Sequence, residues 1–278
     1  MRLALIDSGF GLLPTAGWLR RLRPDAHLDL FMDPHGMPWG ARPVDWIVER
    51  VLGAARLAVA RGADAVVVPC NTASVSALGA LRAELEPDRP VVGTVPAVKP
   101  AAAAGERFAI WATERTTASE YQRSLVELFA APGQATAVAC PGLADAVESG
   151  RPRAVADAVA FAAAATPPDV AGVVLGCTHF PLVSRVIAAA LPPAVLLHDS
   201  SHAVAGQALR RLGVDPDPDA EPGEVAVFLS GVPGHLPGAA RSYPVGAALA
   251  AGSAVDPAVL PAPVHRAGDL AAGDRLAL

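Results

Sequence analysis

Residues 66–74 read VVVPCNTAS, and residues 173–181 read VVLGCTHFP. Each is a valine-rich run that stops at a cysteine and passes directly into small polar residues. Burial gives a strand no packing reason to end that way, whereas a pair of thiols aimed at one cleft would explain both. Outward from these two points, short apolar runs alternate with longer stretches of helical spacing. Strands are expected at 3–6, 28–32, 64–69, 91–95, 107–112, 136–140, 171–176, 194–199 and 225–229. Helices are expected over 44–61, 74–86, 118–130, 153–165 and 182–190. Strand, helix, strand in steady alternation implies parallel sheets covered by helices. In such sheets ligands sit beyond the carboxyl ends of the strands, which is where Cys70, Cys177, Asp7 and Thr113 fall.

The order of elements repeats. RLALIDSGFG (2–11) opens one half and RFAIWATERT (107–116) the other, and each half later reaches its strand-then-cysteine stretch. The expected fold is therefore α/β, with two similar lobes, each a mostly parallel sheet flanked by helices, and the active site in the cleft between them. TVPAVKPA (94–101), stiffened by two prolines, is the natural crossover. The chain is expected to return after about 199, giving a first lobe of 1–97 plus 208–278 and a second of 98–207. From about 215 onward the Pro/Gly/Ala-rich sequence reads as loop with one clear strand.

Composition narrows the function classes. Of 278 residues, 52% are apolar and 18% charged, so the chain can bury a sizeable core. Aromatics are only 5% and alanine abounds, so helices should pack closely on small side chains. The net charge is −5, with no lysine/arginine run, which disfavours nucleic acid and anionic membranes as partners. Three cysteines make an odd number in a long chain, arguing against a disulfide scaffold and for a reducing compartment. Asp7 interrupts the first apolar run before a signal-peptide core could form, and no stretch approaches the ~18 apolar residues of a membrane span. The expected location is cytoplasmic, and the sequence leaves a homodimer open.

The candidate chemistry sorts by context. Cys140, before Pro141-Gly142, reads as a small buried hydrophobe. Cys70 and Cys177 differ, because Asn71-Thr72 and Thr178-His179 follow them where a helix begins. Such a place binds carboxylates and lowers a thiol pKa. Asp7, directly after an apolar run, needs solvent or a partner; the bland alternative is a cap for the helix beginning near Pro14. Gly9 and Gly11 are spaced as in a dinucleotide fingerprint, but proline stands where the third glycine belongs. His198 and His202 stand four apart, and no carboxylate or cysteine completes a zinc motif, so capping or surface roles are expected. Lys99 is the only lysine, and nothing near it resembles a phosphate cradle, which sets pyridoxal phosphate aside. Neither cofactor nor metal is expected.

DSGFG, MPWG, PCNTAS, VPAVKPA, ATERT, ACPGLADAVESG and LGCTHFPL together resemble the glutamate racemases of the aspartate/glutamate racemase superfamily, in order from residue 3 to about 208. The resemblance implies two α/β lobes around an amino-acid substrate and no cofactor. Cys70 and Cys177 would be acid/bases on opposite faces, assisted by Asp7 and His179. Substrate contacts would come from Ser8, Trp39, Gly40, Asn71, Thr72, Thr113, Thr116 and Thr178. The chain departs from the family where Trp39 replaces the usual tyrosine, and where Phe10 and Leu12 enlarge a smaller loop. The expected reaction is cofactor-independent conversion of L-glutamate to D-glutamate for peptidoglycan. Three alternatives stand beside it: a racemase of aspartate or another small acid, an inactive two-lobe amino-acid-binding protein, and a cysteine hydrolase using one thiol.

Overall fold

The computed structural model describes residues 1–260 and 264–267. Among them are strands β1 (Arg2–Ile6), β2 (His27–Met32), β3 (Ala65–Val68), β4 (Val91–Gly93), β5 (Phe108–Ala112), β6 (Ala135–Ala139), β7 (Gly172–Leu175), β8 (Leu196–His198), β9 (Val225–Leu229), β10 (Val232–Gly234) and β11 (Val264–Arg266). The chain divides into two compact units.

The first unit comprises Met1–Val95 and Ser201–Leu260. Its sheet runs β10-β9-β2-β1-β3-β4, parallel throughout except for β10 against β9. The central strand β1 holds Leu3 in register with Leu28 on one side and Ala65 on the other. It is apolar on both faces because both are covered, the usual state of a parallel strand. Ala4 and Ile6 join Val66, Val68 and Phe31 in a core shared with the helices Val44–Ala60 and Asn71–Leu85. Leu3 and Leu5 alternate to the opposite face and are also fully buried. Ala55, Ala58, Ala73 and Ala77 are buried in the first of these cores, where small side chains let the two helices approach.

The second unit is built on Pro96–Ser200, to which β11 adds. Its sheet runs β11-β8-β7-β5-β6, with only β11 antiparallel, paired through Val264 and His198. Ala97, Val98, Ala101, Phe108, Ile110, Leu125 and Val174 form a core between this sheet and its covering helices. Trp111 is buried in β5, with its indole N–H given to Thr166 Oγ1 at 2.8 Å.

Several boundaries differ from the sequence reading, for physical reasons. The return to the first unit falls at Ser201, before the helix Ser201–Leu212 and not near 208, because that helix packs as a whole on the helix Leu13–Leu22. β11 belongs to the second unit's sheet, although the tail was expected to complete the first lobe. The crossover is not extended throughout: Val98–Ala103 is a helix, and Pro100 fits its first turn, where a missing N–H breaks no bond. The helix after Cys70 begins at Asn71 and not at 74, so the polar residues form its first turn. No helix among the described residues is long and apolar enough to cross a membrane.

Candidate active site

In the first unit, Asp7 follows β1 and Cys70 follows β3, its neighbour in the sheet. Cys70 is the N-cap residue of the helix Asn71–Leu85, with extended backbone at φ −147° and ψ 115°. Asp7 is 1% exposed and Cys70 5%. The Asp7 N–H donates to the Phe31 carbonyl at 3.0 Å, which holds the strand end in place. Its Oδ1 accepts the Ser8 N–H at 2.6 Å. Asp7 caps no helix: Gly9 and Leu12 hold the N-cap positions there, without side-chain caps.

The carboxylate faces the thiol instead. Burial pushes the Cys70 thiol well above its ordinary range, and the charge and hydrogen bond of Asp7 push the same way. The Ala73 and Ser8 backbone amides oppose this and lose. A helix start was expected to lower this pKa; desolvation and a carboxylate outweigh two amides. Cys70 therefore rests as a thiol, with a proton acceptor beside it.

The second unit repeats the plan with different helpers. Cys177 follows β7 through Gly176, where a Cβ would lie 2.7 Å from the Trp111 carbonyl, so glycine lets the two strands close. Cys177 is half-buried, and its sulfur lies 3.8 Å from His179 Nδ1. His179 Nε2 lies 2.8 Å from Glu148 Oε1 on the helix Leu143–Ser149. With the Glu148 oxygen as acceptor Nε2 is the donor, and in that tautomer of the neutral ring the Nδ1 lone pair faces the sulfur. Both side chains are about nine-tenths buried.

Glu148 was missed as a site residue. It sits inside ACPGLADAVESG, but nothing local marks it, since its partner lies 31 residues away and is brought to it only by the fold.

The remaining candidates divide by unit. Ser8, Asn71 and Thr72 surround the first cysteine's strand end, and Thr178 follows the second. Thr113 caps the short helix Glu114–Thr117, accepting the Thr116 N–H at 3.3 Å, with the two hydroxyls 2.9 Å apart. Trp39 is 2% exposed and gives its indole N–H to Asp33 Oδ2 at 2.9 Å, so its polar edge is occupied by protein. Gly40 is half-buried, with open space where a side chain would be. Phe10 and Leu12 turn into the core. A cavity of about 240 Å³ opens beside Asp7, lined also by Asp33, Trp39, Arg50 and Ser230.

Cys140 is 1% exposed, and burial with the nearby Cys177 charge pushes its thiol up to about 12. His198 and His202 do not share a helix: the first ends β8, and the second packs edge-on against Trp18 at 4.6 Å. The exposed Lys99 holds its ammonium over the Phe129 ring.

Each unit thus ends one strand of a mostly parallel sheet in a thiol with a proton-accepting side chain beside it, an arrangement suited to acid/base chemistry. The chain belongs to the Asp/Glu/Hydantoin racemase family, whose model matches residues 19–208. It is similar to a glutamate racemase of Pseudomonas entomophila, 35% identical over 84% of this chain and 90% of that protein. It is also 34% identical to a glutamate racemase of Methylococcus capsulatus, over 90% of this chain and 97% of that one. Among solved structures, Escherichia coli glutamate racemase in complex with L-glutamate and the activator UDP-MurNAc-Ala matches with a TM-score of 0.73 and 32% identity, covering 82% of this chain and 88% of that one.

Proposed function

We propose that the protein interconverts L- and D-glutamate without a cofactor, using Cys70 and Cys177 as the two acid/bases. The observation that carries this reading is the matched pair of strand-end thiols, one beside Asp7 and the other beside His179 and Glu148. Inverting a stereocentre requires removing a proton from one face and returning one to the other. Two similar groups suit that task better than one, and the reading requires both units to present their thiols to one substrate.

In one direction Cys177 is the base and the Cys70 thiol the donor; in the other the roles exchange. When Cys70 must act as base, Asp7 takes its S–H proton; when Cys177 must, His179 does so through Nδ1. Because burial and Asp7 hold Cys70 as a thiol, it starts as the donor and becomes a base only as Asp7 takes its proton. The Cα proton is very weakly acidic, and hydrogen bonds to the substrate carboxylate must stabilise the developing charge. Asn71, Thr72, Thr113, Thr116 and Thr178 are the side chains we assign to that work, with Ser8 and the Trp39-Gly40 pair completing the substrate contacts.

The relatives favour glutamate over aspartate. We place the enzyme in the cytoplasm, where thiols stay reduced, and assign its D-glutamate to peptidoglycan, the use that the resemblance in sequence implies. The test is direct: the protein, dialysed against chelator, is incubated with L-glutamate or L-aspartate and followed by circular dichroism. Loss of optical activity with glutamate supports the reading. Loss only with aspartate, or only after adding pyridoxal phosphate or a metal, overturns it.

A further inference from the structure

The sequence attaches no chemistry to the segment after residue 215, yet its hairpin turn reaches the loop that carries Trp39 and Gly40. The connection is the carboxylate of Asp33. Asp33 lies one residue past β2 and is 5% exposed. Its Oδ2 accepts the Trp39 indole N–H and the Arg50 Nε–H, both at 2.9 Å. Its Oδ1 accepts from Ser230 Oγ at 2.6 Å and from the second arm of Arg50. Its backbone is used as fully: the N–H donates to the Ser8 carbonyl, and the carbonyl accepts from Gly36 and Met37, each at 3.0 Å. One residue therefore joins the turn after Asp7, the loop 33–42, the helix Val44–Ala60 and the β9–β10 hairpin.

The neighbours are arranged for this joint. Arg50 and Arg42 both stack on the Trp46 ring, at 5.5 and 5.4 Å, and Arg42 also donates to the Gly36 carbonyl at 3.2 Å. A Cβ on Gly36 would collide with the Asp33 carboxylate and with Trp46, so the loop closes only with glycine there. Ser230 has φ 49° and, among the described residues, is the one non-glycine with positive φ. With Gly231 at φ 86° it makes the two-residue turn of the hairpin. Such a turn favours Asn, Asp or Gly, and Ser230 instead places a hydroxyl that donates to Asp33 and accepts the His35 N–H at 3.2 Å.

We propose that Asp33 is a positioning residue, through which the β9–β10 turn and Arg50 hold Trp39 and Gly40 in the substrate-binding conformation. The proposal rests on the assignment of that pair to substrate contact. It gives the tryptophan at position 39 a reason: its indole N–H supplies a tie that points into the protein and not to the substrate. Both carboxylate oxygens receive two donors, so either orientation of an amide at position 33 would set an NH₂ group against two of them.

The test uses the full chain with Asp33→Asn, Trp39→Phe and Ser230→Gly, the last keeping the turn while removing its hydroxyl. Amide hydrogen exchange over residues 34–42 reads the positioning, and KM and kcat for L-glutamate read its use. Asp33→Asn is expected to speed exchange in that segment and raise KM about tenfold, the size of one lost hydrogen bond to a charged group, with kcat within about threefold. Ser230→Gly should change both in the same direction by less. Asp33→Asn combined with Trp39→Phe should raise KM by less than the product of the single effects. Unchanged exchange over 34–42, or faster exchange with KM unchanged, overturns the proposal while the wild type still racemises glutamate. If the wild type does not racemise glutamate, the function assigned above has failed, and exchange over 34–42 alone decides whether Asp33 holds the loop.

Discussion

Cys70 and Cys140 are both buried thiols at strand ends, and burial raises both. What separates them is the neighbour. Cys70 faces Asp7, whereas the Cys140 thiol points at the Val138 carbonyl at 3.6 Å, which cannot take a proton. Cys70→Ala and Cys177→Ala should therefore each abolish racemisation from either enantiomer, and Cys140→Ala should leave it nearly intact, measured by circular dichroism on folded protein. Alkylation adds a test of electrostatics. Because its pKa is raised, Cys70 should stay protonated, and slow to react with iodoacetamide, to higher pH than a free thiol. Asp7→Asn removes the second and third causes of that shift but not the burial, so the alkylation profile should move down in pH while remaining above that of a free thiol. The sign for stability follows: the Cys70 contribution is whole below the ordinary thiol pKa and is lost as pH rises through the raised value. An Asp7→Asn profile that moves up, or does not move, would mean Asp7 is not ionised beside the thiol.

At the scale of elements, the strands were legible because they are short apolar runs between turn-forming residues, and β1 to β9 all fall within two residues of their expected limits. Helices were legible where polar and apolar residues alternate at helical spacing, as over 44–60. The helix Val98–Ala103 was not, because Pro100 reads as a breaker unless its place in a first turn is known. β10 and β11 were missed because neither VPG nor VHR is an apolar run, whereas the equally short β4 and β8 lie within one. Asp7, Cys70, Cys177 and His179 stood out as residues that no strand end needs for packing. Glu148, Asp33 and Arg50 did not, because each acts through a partner supplied by the tertiary fold. Glu148 tests how far such a partner matters. Glu148→Gln can donate to Nε2 as well as accept from it, so the imidazole loses its fixed orientation toward Cys177. The expected loss in kcat is at most about 10²-fold, the low end for an acid/base contribution. Since the two enantiomers have equal free energy, kcat/KM must fall by the same factor in both directions. The asymmetry should appear in the separate kcat values, and an unchanged kcat from both enantiomers would leave Glu148 with a structural role only.

For the whole molecule, two units repeat one plan: a mostly parallel sheet, a strand that ends in cysteine, and a proton acceptor beside the thiol, from the neighbouring strand in one unit and from the cysteine's own segment in the other. The helpers differ, a carboxylate in one unit and a histidine–glutamate pair in the other, so the two thiols are related in place and unlike in surroundings. If both serve one Cα, each turnover removes the substrate hydrogen on one side and delivers a solvent-derived hydrogen on the other. The measurement that tests this most directly is racemisation of L-glutamate in heavy water, with Cα deuterium followed in each enantiomer over the first fraction of conversion. The account predicts that newly formed D-glutamate carries one Cα deuterium while the remaining L-glutamate carries almost none. D-glutamate that forms with its original Cα hydrogen, or L-glutamate that gains deuterium as fast as D-glutamate appears, would contradict it.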